Sequence, residues 1–279
     1  YDAFVKHLRE REPRGRQKRR PEGQQTGLLN DSIMKYIQDL KNFLGWAEKR
    51  GYNHSKAYTN FAAVTAAGKK RKADKRDIVT LTLQELTGFY QFDFTKKPAL
   101  ERVRDVFCFG CFTGQRWSDI ERFDKSQVKG DVWSFTAFKT KKKQRIKLTG
   151  YRATALDILK KYDYKLPIIS LQKFNETLKD AGMEAGINEP VSIRRYSGAT
   201  EIETVEPKYY FLSSHMARRT FVSLMLNVFN VAPSLVMRQT GHVDLKTLQR
   251  YLDDDEEALD EAMAKTTPVT ETMRIVKAS

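Results

Sequence analysis

The segment 214–252 carries side chains whose types and spacing suit the chemistry of a phosphodiester. His215 and Arg218 lie three residues apart, so on a helix both would project from the same side of its first turn. Apolar residues follow at helical spacing, at Phe221, Leu224, Met225 and Val228. Because a helix N-terminus attracts anions and arginine can bind two phosphate oxygens at once, this spacing predicts a phosphate-binding site.

A candidate nucleophile, Tyr251, lies nine residues after the Gly241–His242 pair. Cationic neighbours such as Arg250 ease the ionisation of a phenol, whose ordinary pKa is about 10. The ionised oxygen could then attack the bound phosphorus. This segment alone leaves a second interpretation open, in which the spacing of the histidines and the arginine arises by chance and Tyr251 is a surface aromatic.

Two further segments supply cations. Arg116 follows a Thr-Gly break that ends an apolar helical run, and Lys139 lies in a lysine-rich run at the tip of a predicted hairpin. The order Arg, Lys, His-x-x-Arg, Gly-His, Tyr is the pattern of the tyrosine recombinase, or phage integrase, family. The sequence resembles this family over residues 77–252, with all six active-site residue types present and in order.

The resemblance implies a role for each residue that would hold the phosphate. Arg116 and Arg218 would bind the non-bridging oxygens of the scissile phosphate and stabilise the charge of the transition state. His215 would act as the general base or orienting group for the tyrosine, and His242 would donate a hydrogen bond to the phosphate.

The resemblance also implies the course of the reaction. Tyr251 would attack phosphorus to form a 3′-phosphotyrosine link, while Lys139 would protonate the leaving 5′ oxygen. Since the link conserves the bond energy, a second 5′ hydroxyl can reverse the step and exchange strands. Neither a metal nor another cofactor is expected, because the arginines, the lysine and the hydrogen-bond donors supply the positive field.

Two of these assignments leave alternatives open. The general acid could be Lys139, Lys141, Lys142 or Lys143, and we favour Lys139 because the family often has Lys-Thr at the hairpin turn. The other lysines would then form a solvated loop that attracts phosphate. Asp119 matches the family's acidic position after the first arginine, where it would buffer or orient active-site groups, but it could equally be a plain carboxylate on a helix surface.

Charge and composition point to a polyanionic partner. The 279 residues are 40% apolar and 30% charged, without a long apolar run, which predicts neither secretion nor a membrane span. The net charge is +15, and residues 1–77 carry 19 Lys and Arg against 9 Asp and Glu. We therefore expect a protein of the bacterial or phage cytoplasm, associated with the nucleoid, whose partner is double-stranded DNA.

The predicted DNA-binding residues are mainly basic residues of the N-terminal part: Arg14, Arg16, Lys18, Arg19, Arg20, Lys35, Lys69, Lys70, Arg71 and Lys141. The segment 9–20 is interrupted by proline and glycine, which indicates a loop that could follow a phosphate backbone or simply be flexible. The basic segment 68–77 lacks large apolar residues, so we interpret it as a linker. A nuclear-localisation signal is the weaker interpretation of the same charges.

The predicted fold is mainly α with a small antiparallel β-sheet. We expect a helical core-DNA-binding domain at 1–68, a basic linker at 69–77 and a catalytic domain with a C-terminal tail at 78–279. By the resemblance, the two domains would form a C-shaped clamp around DNA. Because the chain begins with Tyr1 and not with methionine, we also expect it to be part of a longer protein; members of the family often carry a further small DNA-binding domain upstream, and the sequence leaves open whether this protein has one.

Local patterns predict the individual elements. In the first domain, a helix should run from Asn30 or Asp31 to Gly51, and a second helical segment should cover 55–67. In the second domain, a capping box at 82–85 opens a helix, and another helix begins at 97 or 98 and ends at Thr113. Further predicted elements are strands at 132–138 and 144–148, helices at 154–162 and 171–185, and a short irregular hairpin at 191–203. The tail 260–279 could dock on a neighbouring protomer or pack on its own chain.

Cys108 and Cys111 form a C-x-x-C pair on the predicted helix that ends at Thr113. The pair could be half of a zinc site or a redox pair, but the chain has no other cysteine. We interpret both as small apolar residues on a buried helix.

The overall hypothesis is a mobile-element integrase that recombines two DNA sites as a tetramer, through a Holliday junction, with an accessory DNA-bending or excision factor as a possible partner. A type IB topoisomerase shares the tyrosine chemistry, and a catalytically silent DNA-binding regulator shares the DNA contacts. The compact spacing of residues 215–251 favours the recombinase over the topoisomerase. The six intact active-site residue types argue against the regulator.

Overall fold

The computed structural model describes residues 1–11, 27–62, 78–242, 244–249 and 251. The chain divides into two compact units, Tyr1–Asp77 with Asn188–Tyr210 and Ile78–Ile187 with Phe211–Ser279. Both contain helices and a small antiparallel sheet, which confirms the predicted fold class. Over the described residues, no helix is long and apolar enough to cross a membrane.

The first unit is built on two helices, α1 (Asp2–Glu10) and α2 (Asn30–Lys49). Helix α2 begins where the sequence predicted, and Gly51 follows its end with φ +75°. The buried core between the helices is formed by Val5, Leu8, Leu28, Ile33 and Ile37. Helix α1 includes Arg9 and Glu10, so the predicted loop at 9–20 was wrong at its start, and its residues 12–20 lie outside the described part.

The predicted helical segment 55–67 was also wrong as far as the structure describes it. Within residues 55–62, which the structure describes, the helical part is one turn of 3₁₀ helix, Ala57–Asn60. The Asn53 side chain accepts a hydrogen bond from the Ser55 N–H, and the Ser55 hydroxyl accepts one from the Ala57 N–H. Such local side-chain bonds occupy backbone donors that an α-helix would need, which favours a turn.

The strands β4 (Pro190–Ser197) and β5 (Thr200–Pro207) form a hairpin that belongs to the first unit. The hairpin is regular and longer than the predicted 191–203. Its turn contains Gly198, whose N–H donates to the Asn30 side chain and whose carbonyl accepts from it, both at 2.8 Å. The hairpin thus packs with α2, whereas the sequence placed it within the second domain. The predicted linker 69–77 lies outside the described residues.

The second unit is organised around helix α4 (Pro98–Thr113), in which every residue from Val103 to Thr113 is buried. Cys108 and Cys111 are free thiols within this buried stretch, as the packing interpretation predicted. The other helices of the unit are α3 (Leu83–Gln91), α5 (Trp117–Ile120), α6 (Ala153–Lys161), α7 (Leu171–Glu184), α8 (Ser214–Ser223), α9 (Pro233–Thr240) and α10 (Lys246–Gln249). Helices α6, α7 and α8 pack on α4.

The described part of the second unit also contains three strands, β1 (Val128–Lys129), β2 (Val132–Thr136) and β3 (Lys143–Lys147). They form an antiparallel sheet in the order β1-β2-β3. The buried pair Trp133 and Ile146 anchors its register. The hairpin of β2 and β3 therefore carries residues 137–142 at its tip, as predicted.

Candidate active site

Arg116 is positioned by the sharp end of α4. Gly114 caps the helix with φ +71°, and a Cβ there would lie 2.3 Å from the Phe221 ring, so both conformation and space require glycine. The next residue, Gln115, is buried and donates to the Gln239 carbonyl at 3.0 Å. This bond ties the turn that carries Arg116 to helix α9.

His215 and Arg218 lie in the first turn of α8, as their spacing predicted. The side chain of Ser213 caps the helix by accepting from the Met216 N–H. His215 is exposed, whereas Arg218 is only 3% exposed. Helix α8 reaches this depth because Gly110 of α4 leaves room for Ala217.

Backbone carbonyls hold the two arginines. Arg218 donates from Nη1 to the Gly114 carbonyl at 3.1 Å and from Nη2 to the Thr240 carbonyl at 2.6 Å. Arg116 donates from Nη2 to the Gly241 carbonyl at 3.3 Å. These acceptors lie at the C-terminal ends of α4 and α9, where carbonyls lack helical partners and the dipole is negative.

Among the residues that the structure describes, no carboxylate forms a salt bridge with Arg116 or Arg218, so their contacts are to neutral carbonyls. Burial, followed by the repulsion of Arg116, lowers the pKa of Arg218 to about 9, while Tyr251 and Asp119 act in the opposite direction. The site consequently presents a positive field that would favour binding of an anion.

His242 contacts Arg218 and Thr240. Its Nε2 lies 3.1 Å from Arg218 Nη2, and its Nδ1 lies 2.7 Å from the Thr240 hydroxyl. Burial, then Arg218, Arg116 and His215, lower the pKa of His242 to about 4, so the ring is neutral at pH 7. In the free protein, Nε2 of His242 faces a donor of Arg218 and accepts from it. It is therefore not arranged to donate a hydrogen bond to a phosphate, as the resemblance implied.

The pKa of His215 is also lowered, by partial desolvation and by the charges of Arg219, Arg218 and Arg116. A neutral imidazole has a lone pair available to accept a proton. The neutral ring of His215 is thus chemically able to accept a proton.

The hairpin tip that carries Lys139 is anchored by Asp119. Its Oδ1 accepts from the Phe138 N–H at 2.7 Å, and the carboxylate is buried. This contact favours the orienting role of Asp119 over the plain surface carboxylate. The tip is closed by a bond from the Ala137 N–H to the Lys142 carbonyl at 2.9 Å, and Lys139 itself is exposed.

The segment that carries Tyr251 is held by the chain beyond α8. Residues Leu224–Val228 form a π-helical turn where the sequence predicted a continuing helix. Within it, the Asn227 amide donates to the Tyr251 carbonyl at 2.8 Å. Tyr251 is partly buried and packs on the apolar cluster that includes Phe221, Met225 and Leu248.

The structure thus places Arg116, Arg218 and His242 around the C-terminal end of α9, with His215 and Tyr251 close enough to affect the electrostatics of this group. Sequence reasoning missed three residues that position this group: Gln115, Asn227 and Thr240. Gln115 and Thr240 each adjoin a glycine, and Asn227 is a polar residue within an apolar stretch. These are the local signals that could have pointed to them.

Of the predicted DNA-binding residues, Lys35 and Lys141 are exposed. The others lie outside the described residues: Arg14, Arg16, Lys18, Arg19, Arg20, Lys69, Lys70 and Arg71. Within the described ranges, no group of three or more His, Cys, Asp or Glu side chains is arranged to hold a metal ion.

The sequence profile of the phage integrase family matches residues 80–258, the part of the chain that contains all six predicted active-site residues. The chain therefore belongs to the phage integrase family. No curated protein matches it in sequence.

Solved structures with a similar fold are tyrosine recombinases. The XerH site-specific recombinase in a post-cleavage complex with difH substrate is 16% identical, with a TM-score of 0.57, over 85% of this chain and 68% of that protein. A lambda integrase (75–356) dimer bound to a COC′ core site is also 16% identical, with a TM-score of 0.57, over 81% and 74%. A lambda integrase tetramer bound to a Holliday junction is 14% identical, with a TM-score of 0.55, over 81% and 60%.

Proposed function

We propose that this protein is a site-specific recombinase that cuts and rejoins duplex DNA through a 3′-phosphotyrosine link. The observation that carries the proposal is the pair of arginines held by the carbonyls of two glycine-capped helix ends. Arg116 and Arg218 are fixed in place, yet no contacting carboxylate among the described residues neutralises them. Such preorganised charge stabilises the transition state of phosphoryl transfer.

The environments of His215 and Lys139 support the proton transfers that we assign to them. Neutral His215 would take the phenol proton of Tyr251 as its oxygen attacks phosphorus. Lys139, on the exposed hairpin tip, would protonate the 5′ oxygen as the phosphorus–oxygen bond breaks. Attack by the 5′ hydroxyl of another strand would release the tyrosine and complete the exchange.

The assembly belongs to the same proposal. The 1–68 domain and the second domain, joined by the basic linker 69–77, would clamp duplex DNA, with phosphate contacts dominating the affinity. Four protomers would act on two sites through a Holliday junction. Support comes from the fold shared with the lambda integrase that is described as a tetramer on such a junction. An accessory DNA-bending or excision factor is a further possible partner.

Covalent trapping tests the proposal. DNA that binds the purified chain would first be selected from a random pool. Each selected duplex would then be nicked beside a candidate cleavage position, so that the short fragment with the free 5′ hydroxyl diffuses away after cleavage and cannot rejoin. We expect a covalent adduct on Tyr251, identified by mass spectrometry of the linked peptide and absent from Tyr251→Phe. EDTA should leave adduct formation unchanged.

The other outcomes separate the alternatives. An adduct on another tyrosine would overturn the assignment of Tyr251, and tight binding without an adduct would favour a DNA-binding regulator. If Tyr251 forms the adduct, paired sites would distinguish the two enzymes. Junction and exchanged products indicate a recombinase, whereas relaxation of a supercoiled plasmid without exchange indicates a topoisomerase.

A further inference from the structure

The Thr240 hydroxyl lies between two groups whose hydrogen-bonding needs determine its orientation. Its Oγ1 lies 2.6 Å from the Val236 carbonyl oxygen and 2.7 Å from His242 Nδ1. A carbonyl oxygen can only accept, so the hydroxyl hydrogen points to Val236. A hydroxyl has one hydrogen, and Oγ1 therefore offers a lone pair to the imidazole, which must carry its proton on Nδ1.

The opposite side of the His242 ring leads to the same tautomer. Nε2 lies 3.1 Å from Arg218 Nη2, and a guanidinium has donors only. A neutral ring with its proton on Nδ1 has a lone pair on Nε2 and accepts this bond. The neighbouring titratable groups Arg218, Arg116 and His215 all lower the pKa of His242 and so oppose a second proton on its ring.

Thr240 also contacts Arg218 directly. It is the last residue of α9, it is only 1% exposed, and its carbonyl accepts from Arg218 Nη2 at 2.6 Å. One residue therefore holds the arginine through its backbone and orients the histidine that contacts the same nitrogen through its side chain.

We propose that Thr240 is a positioning residue that sets the tautomer of His242 and thereby the orientation of Arg218. In the free protein, His242 is an acceptor that supports the arginine. If His242 is to donate from Nε2 to a phosphate oxygen, its proton must move to that nitrogen. The Thr240 hydroxyl would then turn from the Val236 carbonyl to donate to Nδ1. A hydroxyl can serve either tautomer, and a methyl group can serve neither.

The inference about the reaction rests on the proposed function, but the tautomer can be measured without DNA. The chain has four histidines, so long-range nitrogen–proton NMR spectra of the protein with isotope-labelled histidine would be simple, and His242→Gln assigns the signal. We expect the Nδ1–H form in the free wild-type protein. In Thr240→Val, which keeps the branched shape, the Nδ1 proton loses its acceptor, so we expect the population of this form to fall although the Arg218 donor remains.

The same variants are then tested for covalent complex formation. Thr240→Val should slow the reaction about fivefold, which corresponds to the loss of one hydrogen bond, whereas Thr240→Ser should restore both the rate and the tautomer. Thr87→Val is the matched control, since Thr87 makes the same bond to the carbonyl four residues earlier, on the exposed side of α3.

Each other outcome is decisive. An Nε2–H ring in the wild-type protein, or an unchanged tautomer in Thr240→Val, would overturn the proposal. If Thr240→Ser were as impaired as Thr240→Val, the effect would lie in packing of the methyl group and not in the hydroxyl. If the tautomers behave as expected but neither the wild type nor any variant cleaves DNA, the positioning of His242 by Thr240 stands and the proposed function fails.

Discussion

The Asn227 side chain donates a hydrogen bond of 2.8 Å to the main-chain carbonyl of Tyr251. Asn227 lies in the π-helical turn that directly follows α8, the helix that carries His215 and Arg218. The Asn227 amide therefore hydrogen-bonds the segment of the proposed nucleophile to the turn that continues the helix of His215 and Arg218. Turns of π-helix occur frequently at functional sites, since the extra residue redirects the side chains that follow.

This connection predicts the effect of Asn227→Leu, which has a similar volume and no amide. Loss of the bond should loosen the segment of Tyr251 and slow covalent complex formation about fivefold, because one net hydrogen bond corresponds to about 1 kcal/mol. DNA binding, measured by fluorescence anisotropy, should stay unchanged. Asn42→Leu on the exposed face of α2 serves as the control, and an equal loss of binding and cleavage would contradict a positioning role.

Arg218→Ala should nearly abolish cleavage while duplex binding is largely retained. Removing one preorganised charge costs about 3 kcal/mol or more of transition-state stabilisation. Single-turnover cleavage and equilibrium binding separate the two effects. Arg102→Ala, on the exposed side of α4, controls for the loss of a positive charge, and a parallel loss of binding would indicate that Arg218 has a docking role.

The identity of the general acid can be tested through the leaving group. Lys139→Ala should slow cleavage of ordinary DNA by about 10²- to 10⁴-fold, the usual contribution of a general acid. In a substrate with sulfur in place of the 5′ bridging oxygen, the leaving group is a thiolate that departs without a proton. This substrate should therefore restore the cleavage rate of Lys139→Ala. The same rescue in Lys141→Ala, Lys142→Ala or Lys143→Ala, and not in Lys139→Ala, would reassign the acid.

Asp119 should determine the order of the hairpin tip. Asp119→Ala removes the acceptor of the Phe138 N–H, so the exchange of this amide with solvent hydrogen should become faster, and cleavage should slow through misplacement of Lys139. Asp119→Asn keeps one acceptor oxygen and should behave nearly like the wild type. Unchanged amide exchange in Asp119→Ala would show that other contacts hold the tip.

Histidine burial predicts a dependence of stability on pH. The pKa of His242 is about 4 in the folded chain and about 6.5 when unfolded, so the unfolded chain binds an extra proton between these values. The free energy of unfolding should therefore fall as the pH is lowered from 6.5, by up to about 2 kcal/mol at pH 5. The lowered pKa of His215 acts in the same direction.

Urea unfolding of the wild type and of His242→Gln at pH 7 and pH 5 measures this contribution. The variant should lose less stability between the two pH values, because glutamine does not titrate. An identical loss in both proteins would mean that His242 does not contribute to the acid sensitivity of the fold.

Local signals in the sequence accounted for much of the second unit. The capping box at Thr82 and Glu85 forms as predicted, and α4 ends at a glycine with positive φ. These features depend on residues within one helical turn of each other, so a short stretch of sequence determines them. The predictions failed where such signals compete, as at 55–62, where side chains take the backbone donors of a helix.

The sequence by itself determined the order and types of the six candidate active-site residues and the helices and strands that carry most of them. Only the tertiary structure decided how the site is held together. Arg218 donates to a carbonyl 104 residues away, and Gln115 to one 124 residues away. Such contacts depend on how α4, α8 and α9 pack and on carbonyls that every residue carries, so residue types alone do not reveal them.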